Sequence, residues 1–437
     1  MRRAVVLGGS FAGLLAARVL RDFADEVVVL ERDDLSEEST GRGAPHRRQL
    51  HALLAMGHVQ LERWFPGIVT EMVAGGARLG RGAAVRFYVD GRLRPPLDDA
   101  EMLGASRTFI EQTVRTRTMA LLNVRSVTGR AQSLLIRSGR VQGVRFAAGE
   151  DTALQEMDAD LVVDAMGRSS RLSSWLTAAG WPAPSTHRMR VDLGYATATF
   201  RRGSELADLV IAHSAPGPAS NYQPSLCEPG ALAAVEGDRW AVVLAGYDNY
   251  RPSEDPDAFL SRMRRCVHPL REVADHCSPD GDVSAFHFRD SLRRSFTSMD
   301  RFPGGLVVLG DAIASVNPIY GQGLTLATLE ASALAAHLQS GAMPHEPAWK
   351  YFRRVDAIVG AAWKLSTTAD LAQPHVTGPY PRGYALTRWA GDRLTEASLR
   401  CAEINRAYMD VVHMKKHPRT LTRPRVLLRA ARVLLGK

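Results

Sequence analysis

The chain predicts an α/β fold: a Rossmann-type dinucleotide-binding unit interleaved with an antiparallel β-sheet unit, followed by a C-terminal helical region. Three observations predict it. The chain opens as strand, glycine-rich turn, helix and strand, over Ala4–Leu7, Gly8–Gly13, Leu14–Phe23 and Glu26–Leu30. Short segments of alternating polarity, at Ala84–Val89, Arg190–Phe200, Trp240–Ala245 and Val283–Phe288, read as antiparallel strands. Further pieces of the first kind recur far downstream, so β-rich insertions separate parts of one unit.

In chain order, residues 1–80 form the first part of the dinucleotide unit and 81–105 contribute strands to the sheet unit. Residues 106–185 return to the dinucleotide unit, 186–296 hold most of the sheet unit, 297–345 close the dinucleotide unit, and 346–437 are helical with a basic tail. A polar, arginine-rich segment (Ser36–Gln49) leads into a helix around Leu50–Phe65, whose apolar residues fall at helical spacing. Arg107–Leu122 reads as a helix, and Leu161–Val163 and Gly305–Leu309 as buried strands. Leu324–Leu338, rich in Ala and Leu, is a further helix, and the helical region after Pro347 is broken by Pro and Gly at 374–383.

With 437 residues the chain buries a sizeable core, and its 45% apolar content is that of an ordinary globular protein. No apolar run reaches the length of a membrane span, and strand-like residues follow Met1-Arg2-Arg3 where a signal peptide would need its apolar segment. Cys227, Cys266, Cys277 and Cys401 are scattered without a CxxC pair, which fits a reducing cytoplasm and neither a disulfide frame nor a metal site. The net charge of +9 is concentrated at the end: eight Lys and Arg and no acid follow His413. A near-neutral body argues against a nucleic-acid partner. Arg425, Arg429 and Arg432 recur at i, i+4 and i+7, as in an amphipathic helix that rests on a membrane surface or packs on the body.

Gly8-Gly9-Ser10-Phe11-Ala12-Gly13 is a G-x-G-x-x-G pattern with Ser10 at the middle glycine. Gly8 permits the tight turn, Gly13 close helix–strand packing, and small Ser10 lets backbone approach a pyrophosphate at the helix N-terminus. Glu31, with Arg32 beside it, ends the second strand where a carboxylate accepts the hydroxyls of an adenosine ribose. Downstream stand Val308-Leu309-Gly310-Asp311-Ala312 and Asn317-Pro318-Ile319-Tyr320-Gly321-Gln322-Gly323-Leu324.

This GD…PxxGQG string resembles the signature of the FAD-dependent aromatic hydroxylases, the para-hydroxybenzoate hydroxylase-like superfamily. The resemblance implies FAD as cofactor, with Asp311 on the ribityl chain, Asn317 and Pro318 beside the isoalloxazine ring, and Gly321-Gln322-Gly323 opening a helix towards its carbonyl edge. Val162-Val163-Asp164-Ala165-Met166-Gly167-Arg168 is similar to the family's third fingerprint, placing Asp164 and Gly167 at the cofactor. Arg107 matches its phosphate-region arginine, and Val127 stands where backbone contacts to adenine are usual. Arg42-Gly43-Ala44-Pro45-His46-Arg47-Arg48-Gln49-Leu50-His51 resembles the G-V-P-Q-x-R-H-x-H segment of the bacterial polyketide polyene epoxidases, with departures at His46 and Gln49. That match makes Arg48 the cofactor arginine and leaves Arg42 and Arg47 as solvated charges. His51 fits a packing role as well as a site role. The region from Trp363 through Asp370 to Gly378 is similar to the same subfamily.

The implied reaction is monooxygenation: O2 reacts with reduced flavin to give a C4a-hydroperoxide, which transfers one oxygen to an apolar small molecule. Epoxidation of alkenes in a polyketide or terpenoid is the expected form, because no histidine has an evident partner and the expected pocket is poor in bases. Hydroxylation of an aromatic substrate, reduction of a double bond and non-catalytic flavin sensing are the alternatives. Halogenation is disfavoured, since no lysine precedes Lys350 and no W-x-W pair occurs. Phe87, Tyr195, Phe200, Trp240 and Tyr320 are the candidate substrate-lining residues. Without a second dinucleotide fingerprint, electrons come from transiently docked NAD(P)H or from a separate reductase.

Overall fold

The computed structural model describes residues 1–33, 45–148, 153–217 and 227–436. The strands Arg3–Leu7, Glu26–Glu31, Leu161–Asp164 and Leu306–Val308 are nearly continuous apolar runs, and each is buried on both faces. They pair in parallel with the strand Val124–Arg137 to give the order 306–308, 161–164, 3–7, 26–31, 124–137. Two antiparallel strands, Arg140–Ala148 and Leu154–Asp158, extend this sheet at one edge. The helices Phe11–Leu20 and Gly323–Gln339 share its main core.

The second sheet has eight strands. Its long members are Ser185–Arg201, Arg239–Tyr247 and Ser284–Ser295, antiparallel to one another. Gly230–Val235 and Ile211–Ala215 continue it, and Ile211–Ala215 pairs in parallel with Val85–Val89. Alternation along these strands sorts side chains between two layers. Leu193 and Tyr195 face the cavity described below, while Ala196, Ala198 and Phe200 enter a separate core against the helices Pro256–Met263 and His268–His276. The α/β architecture, with its interleaved sheets and closing helices, is thus the one expected, and the strands Arg140–Ala148 and Leu154–Asp158 and the two covering helices were not legible in the polarity pattern.

Phe200 and Trp240 are not substrate-lining residues. They sit opposite each other across neighbouring strands, fully buried in the core on the far side of the sheet. Five positions separate Tyr195 from Phe200, and an odd separation in a regular strand puts two side chains on opposite faces.

The C-terminal region begins with the helix Trp349–Asp370, anchored on the parallel sheet by Tyr351, whose hydroxyl donates to the Val308 carbonyl at 2.6 Å. The Phe352 ring stacks on Phe296 at 5.0 Å and meets Phe302 edge-on at 4.9 Å. Helices Tyr384–Arg400, Ala402–Val412 and Pro424–Leu434 pack together around Leu394, Ala397, Ile404 and Ala430. Arg429 of the last helix pairs with Glu403 at 3.1 Å. Among the described residues no helix is long and apolar enough to cross a membrane.

Phe200→Ala is expected to lower unfolding free energy by about 3–5 kcal/mol, the usual cost of emptying a packed aromatic site. Urea unfolding followed by tryptophan fluorescence checks it.

Candidate functional site

One cavity of about 940 Å³ runs from the glycine-rich turn, past the loops at 165–171 and 310–323, to the underside of the second sheet. At the turn, Gly8 adopts φ +104°, and a Cβ there would lie 2.5 Å from the Ala165 carbonyl oxygen. A Cβ on Gly13 would lie 1.8 Å from the Gly8 carbonyl oxygen, so the helix meets the strand only because both positions lack side chains. Glu31 lies in the wall, its carboxylate accepting from the Gly9 amide at 2.6 Å and the Asp33 amide at 3.1 Å.

Beside this turn a buried carboxylate organises three arginines. Glu111, only 2% exposed, lies on the helix Arg107–Met119, which places Arg107 and Arg115 one turn to either side of it. Arg107, Arg47 and Arg115 pair with Glu111 at 2.9, 3.0 and 3.0 Å, and the Ser10 hydroxyl donates to it at 3.1 Å. Burial pushes the Glu111 carboxyl up, but the charges of Arg107, Arg47 and Arg115 and the Arg107 hydrogen bond outweigh it and hold it below the ordinary range. Three cations gather around this one anion, and Arg47 and Arg107 both reach the cavity.

Two further buried acids hold the central loops. Glu330 accepts from the Gly310 amide and so fixes the short turn Gly310–Ala312 that presents Asp311. Burial pushes it up to about 8, a shift the Asp311 charge adds to and the Gly310 bond opposes. Asp370 accepts from Asn317 at 2.7 Å and from the Tyr320 hydroxyl at 3.1 Å, and Asn317 also donates to the Tyr247 hydroxyl at 3.0 Å. Burial lifts Asp370 to about 7 against the pull of both hydrogen bonds.

At the far end, Phe87, Tyr195, Phe286, Phe288, Met102 and Ala245 give an apolar wall. It is not free of bases. His213 lines the cavity on the strand Ile211–Ala215, its ring 5.9 Å from that of Phe87 and hydrogen-bonded to the Ile319 backbone. Burial and the Arg94 charge depress it to about 4, so the imidazole is neutral at neutral pH. His51 also lines the cavity, with Nδ1 2.8 Å from the Gln49 carbonyl. Burial drives the Tyr195 phenol far up from its ordinary value, and the Asp311 charge adds to the effect.

Of the residues singled out in the sequence, Gly8, Ser10, Phe11, Ala12, Glu31, Arg32, Arg107, Gly167, Asp311, Pro318, Gly321 and Gly323 line this cavity, as do Phe87, Tyr195 and Tyr320. The Arg47–Arg48 pair is reversed: Arg47 is buried on Glu111, whereas Arg48 is exposed and outside the cavity wall. Arg42 lies outside the described residues. Asp164 does not reach the cavity either; its carboxylate accepts from the Met166 amide and the Ser170 hydroxyl, shaping the turn that does. Val127 stays in the strand, and Gly129, Arg130 and Ala131 supply the wall in its place. Gln322 is buried with Oε1 unpartnered, and Asn317 holds the loop from behind.

The sequence reading missed Arg47, Glu111, Glu330 and His213. The i, i+4, i+8 spacing of Arg107, Glu111 and Arg115 and the lone acid Glu330 in an apolar helix were signals for Glu111 and Glu330. His213 needed the strand around it to be recognised first.

No family model matches the chain. Protein Rv3254 of Mycobacterium tuberculosis strain H37Rv is 33% identical over 399 residues, covering 87% of this chain and 82% of that protein. Among solved structures, the flavin-dependent brominase Bmp2 superposes with TM-score 0.66 at 16% identity, covering 99% of this chain and 98% of its own. The p-nitrophenol 4-monooxygenase PnpA of Pseudomonas putida DLL-E4 gives 0.64 at 14% identity, covering 94% and 99%. PqsL, a probable FAD-dependent monooxygenase of Pseudomonas aeruginosa, gives 0.61 at 17% identity, covering 90% and 99%. At these identities the likeness is one of fold, and monooxygenases and a halogenase share it.

The raised acids give the fold a pH signature. A carboxyl with a raised folded-state pKa stabilises fully below its unfolded value, and the contribution is lost as pH rises through the folded value. For Glu330 the window runs from 4.5 to about 8, and for Asp370 from 3.8 to about 7. The melting temperature is expected to fall between about pH 5 and about pH 8, and Glu330→Gln to flatten that fall. Thermal melts of both proteins across the window check it.

Proposed function

The chain belongs to the same family as Protein Rv3254, and from its FAD-monooxygenase fold and the residues of its cavity we propose that it binds FAD and uses O2 to place one oxygen atom on an apolar small molecule. The observation that carries this reading is the single cavity joining a glycine-rich, arginine-lined turn to an apolar chamber under the second sheet. The residues present suit that cofactor. The bare backbone at Gly8 and Gly13 permits close approach, and Arg47 and Arg107 in the cavity wall beside it suit a pyrophosphate. The carboxylate of Asp311 in the wall suits the hydroxyls of the remainder of the molecule.

When bound, the flavin supplies the redox and oxygen chemistry. This chain's residues bind it, orient the substrate and exclude water. Asn317, Tyr320 and Asp370 hold Pro318 and Gly321 in the cavity wall, and the aromatic and aliphatic side chains beyond them keep the chamber dry. Epoxidation of an alkene is supported by that apolar wall, because an alkene needs proximity and orientation and no base. Hydroxylation of a phenol is the second reading, favoured by His213, a neutral imidazole in the wall that can accept a hydrogen bond from a phenolic hydroxyl. Halogenation is less favoured: the lysines begin at Lys350, and arginines are the cations of the cavity wall. The electrons come from NAD(P)H or a separate reductase.

Purified protein is expected to be yellow and to release FAD on denaturation. Asp311→Ala should weaken FAD binding by about 1.5–3 kcal/mol, tenfold or more in Kd. Equilibrium dialysis checks it, and FAD held as tightly by the variant would displace Asp311 from this role. Turnover under ¹⁸O2 with paired alkene and phenol substrates then separates the two reactions by where the label appears.

A further inference from the structure

Four arginines among the described residues are buried: Arg47, Arg94, Arg107 and Arg115. Three of them share Glu111. The fourth, Arg94, has no carboxylate partner among the described residues. It follows the strand Arg92–Leu93 and reaches towards the C-terminal helices. One terminal nitrogen donates to the Ser398 hydroxyl at 2.5 Å and to Asn405 Oδ1 at 3.2 Å, and the guanidinium lies 4.6 Å from the centre of the Tyr408 ring. These partners are all neutral. They fix the side chain in place without cancelling its charge.

Arg94 is 7% exposed and belongs to the wall of the cavity, at the apolar end and away from the glycine-rich turn. A guanidinium withdrawn from water with no counter-ion is costly, and proteins accept that cost where a ligand brings the missing charge. The planar fork of arginine matches a carboxylate in two parallel hydrogen bonds. His213 pairs across the sheet with Phe87, whose carbonyl accepts from the Arg94 amide at 2.8 Å, so it feels the Arg94 charge while also bonding the Ile319 backbone next to Pro318.

We propose that Arg94 receives an acidic headgroup, and that the substrate is an apolar molecule carrying one carboxylate, bound with its acid at Arg94 and its body lying past His213 towards the Pro318 loop. This rests on the monooxygenase reading for what happens to the body; the headgroup site itself does not depend on the flavin. Oxygen is then delivered to a carbon away from the acid, and the acid sets the register.

The test uses the whole protein as purified and a panel of apolar acids, namely naphthoate, biphenylcarboxylate and dodecanoate, each beside its primary amide, with naphthol as a phenol arm. Affinities are measured by calorimetry, and flavin content by absorbance in parallel. At least one acid is expected to bind about tenfold or more tighter than its amide. Arg94→Met should abolish that preference and Arg94→Lys should retain part of it. Equal affinities of every acid and its amide in the unaltered protein overturn the proposal, whether or not the variants fold. So does a preference that survives Arg94→Met, or a preference for naphthol over naphthoate. Protein that lacks flavin but keeps the acid preference sinks the monooxygenase reading and leaves the headgroup site standing.

Discussion

Glu111 is the residue on which the cofactor end of the cavity depends. It joins three stretches far apart in sequence: Ser10 in the glycine-rich turn, Arg47 in the segment after the second parallel strand, and the helix carrying Arg107 and Arg115. Each guanidinium would be expensive to bury alone, and the shared carboxylate makes burial of all three tolerable. Removing that carboxylate would strand three cations at once, a larger loss than breaking a simple pair. With Arg47 and Arg107 also in the cavity wall, the arrangement suits an anion-binding site better than a purely structural salt bridge would.

The central loops follow a different rule. Glu330 and Asp370 are single acids in apolar surroundings, and burial raises both towards neutral pH. An acid near its neutral form can hold a loop by hydrogen bonding without adding a full negative charge to the cavity. Asp311, presented by one of these loops, then stands as the acid of the central wall. Helices that follow the loops in sequence thereby fix the loops' shape: Glu330 reaches back twenty positions to Gly310, and Asp370 reaches back to Asn317.

Much of this was legible in the sequence where a local pattern carried the signal. The apolar runs around Val5, Val28, Val163 and Val307 read as buried parallel strands, and the glycine and PxxGQG motifs landed on the cavity wall. Legibility failed where the answer depends on which face or which neighbour wins. Phe200 and Trp240 were grouped with Tyr195 by chemistry although strand parity places them opposite. Arg47 and Arg48 are chemically identical neighbours, and only the position of Glu111, sixty residues away, decides which is buried. The strand holding His213 is short and small-residue-rich, and it gains its place through pairing with Val85–Val89 and Gly230–Val235.

These features combine into a cavity whose charge is divided along its length. The turn end carries the arginines gathered on Glu111, the far end carries Arg94, and the stretch between holds Asp311, a neutral imidazole at His213 and hydrocarbon. Such a division would orient a ligand pair by their anionic ends, one at the glycine-rich turn and one at Arg94. Low local polarity strengthens both end interactions and keeps water out of the centre. The fold alone does not impose this pattern, because monooxygenases and a halogenase share the architecture. The distribution of a few buried charges on it is what would make the site selective.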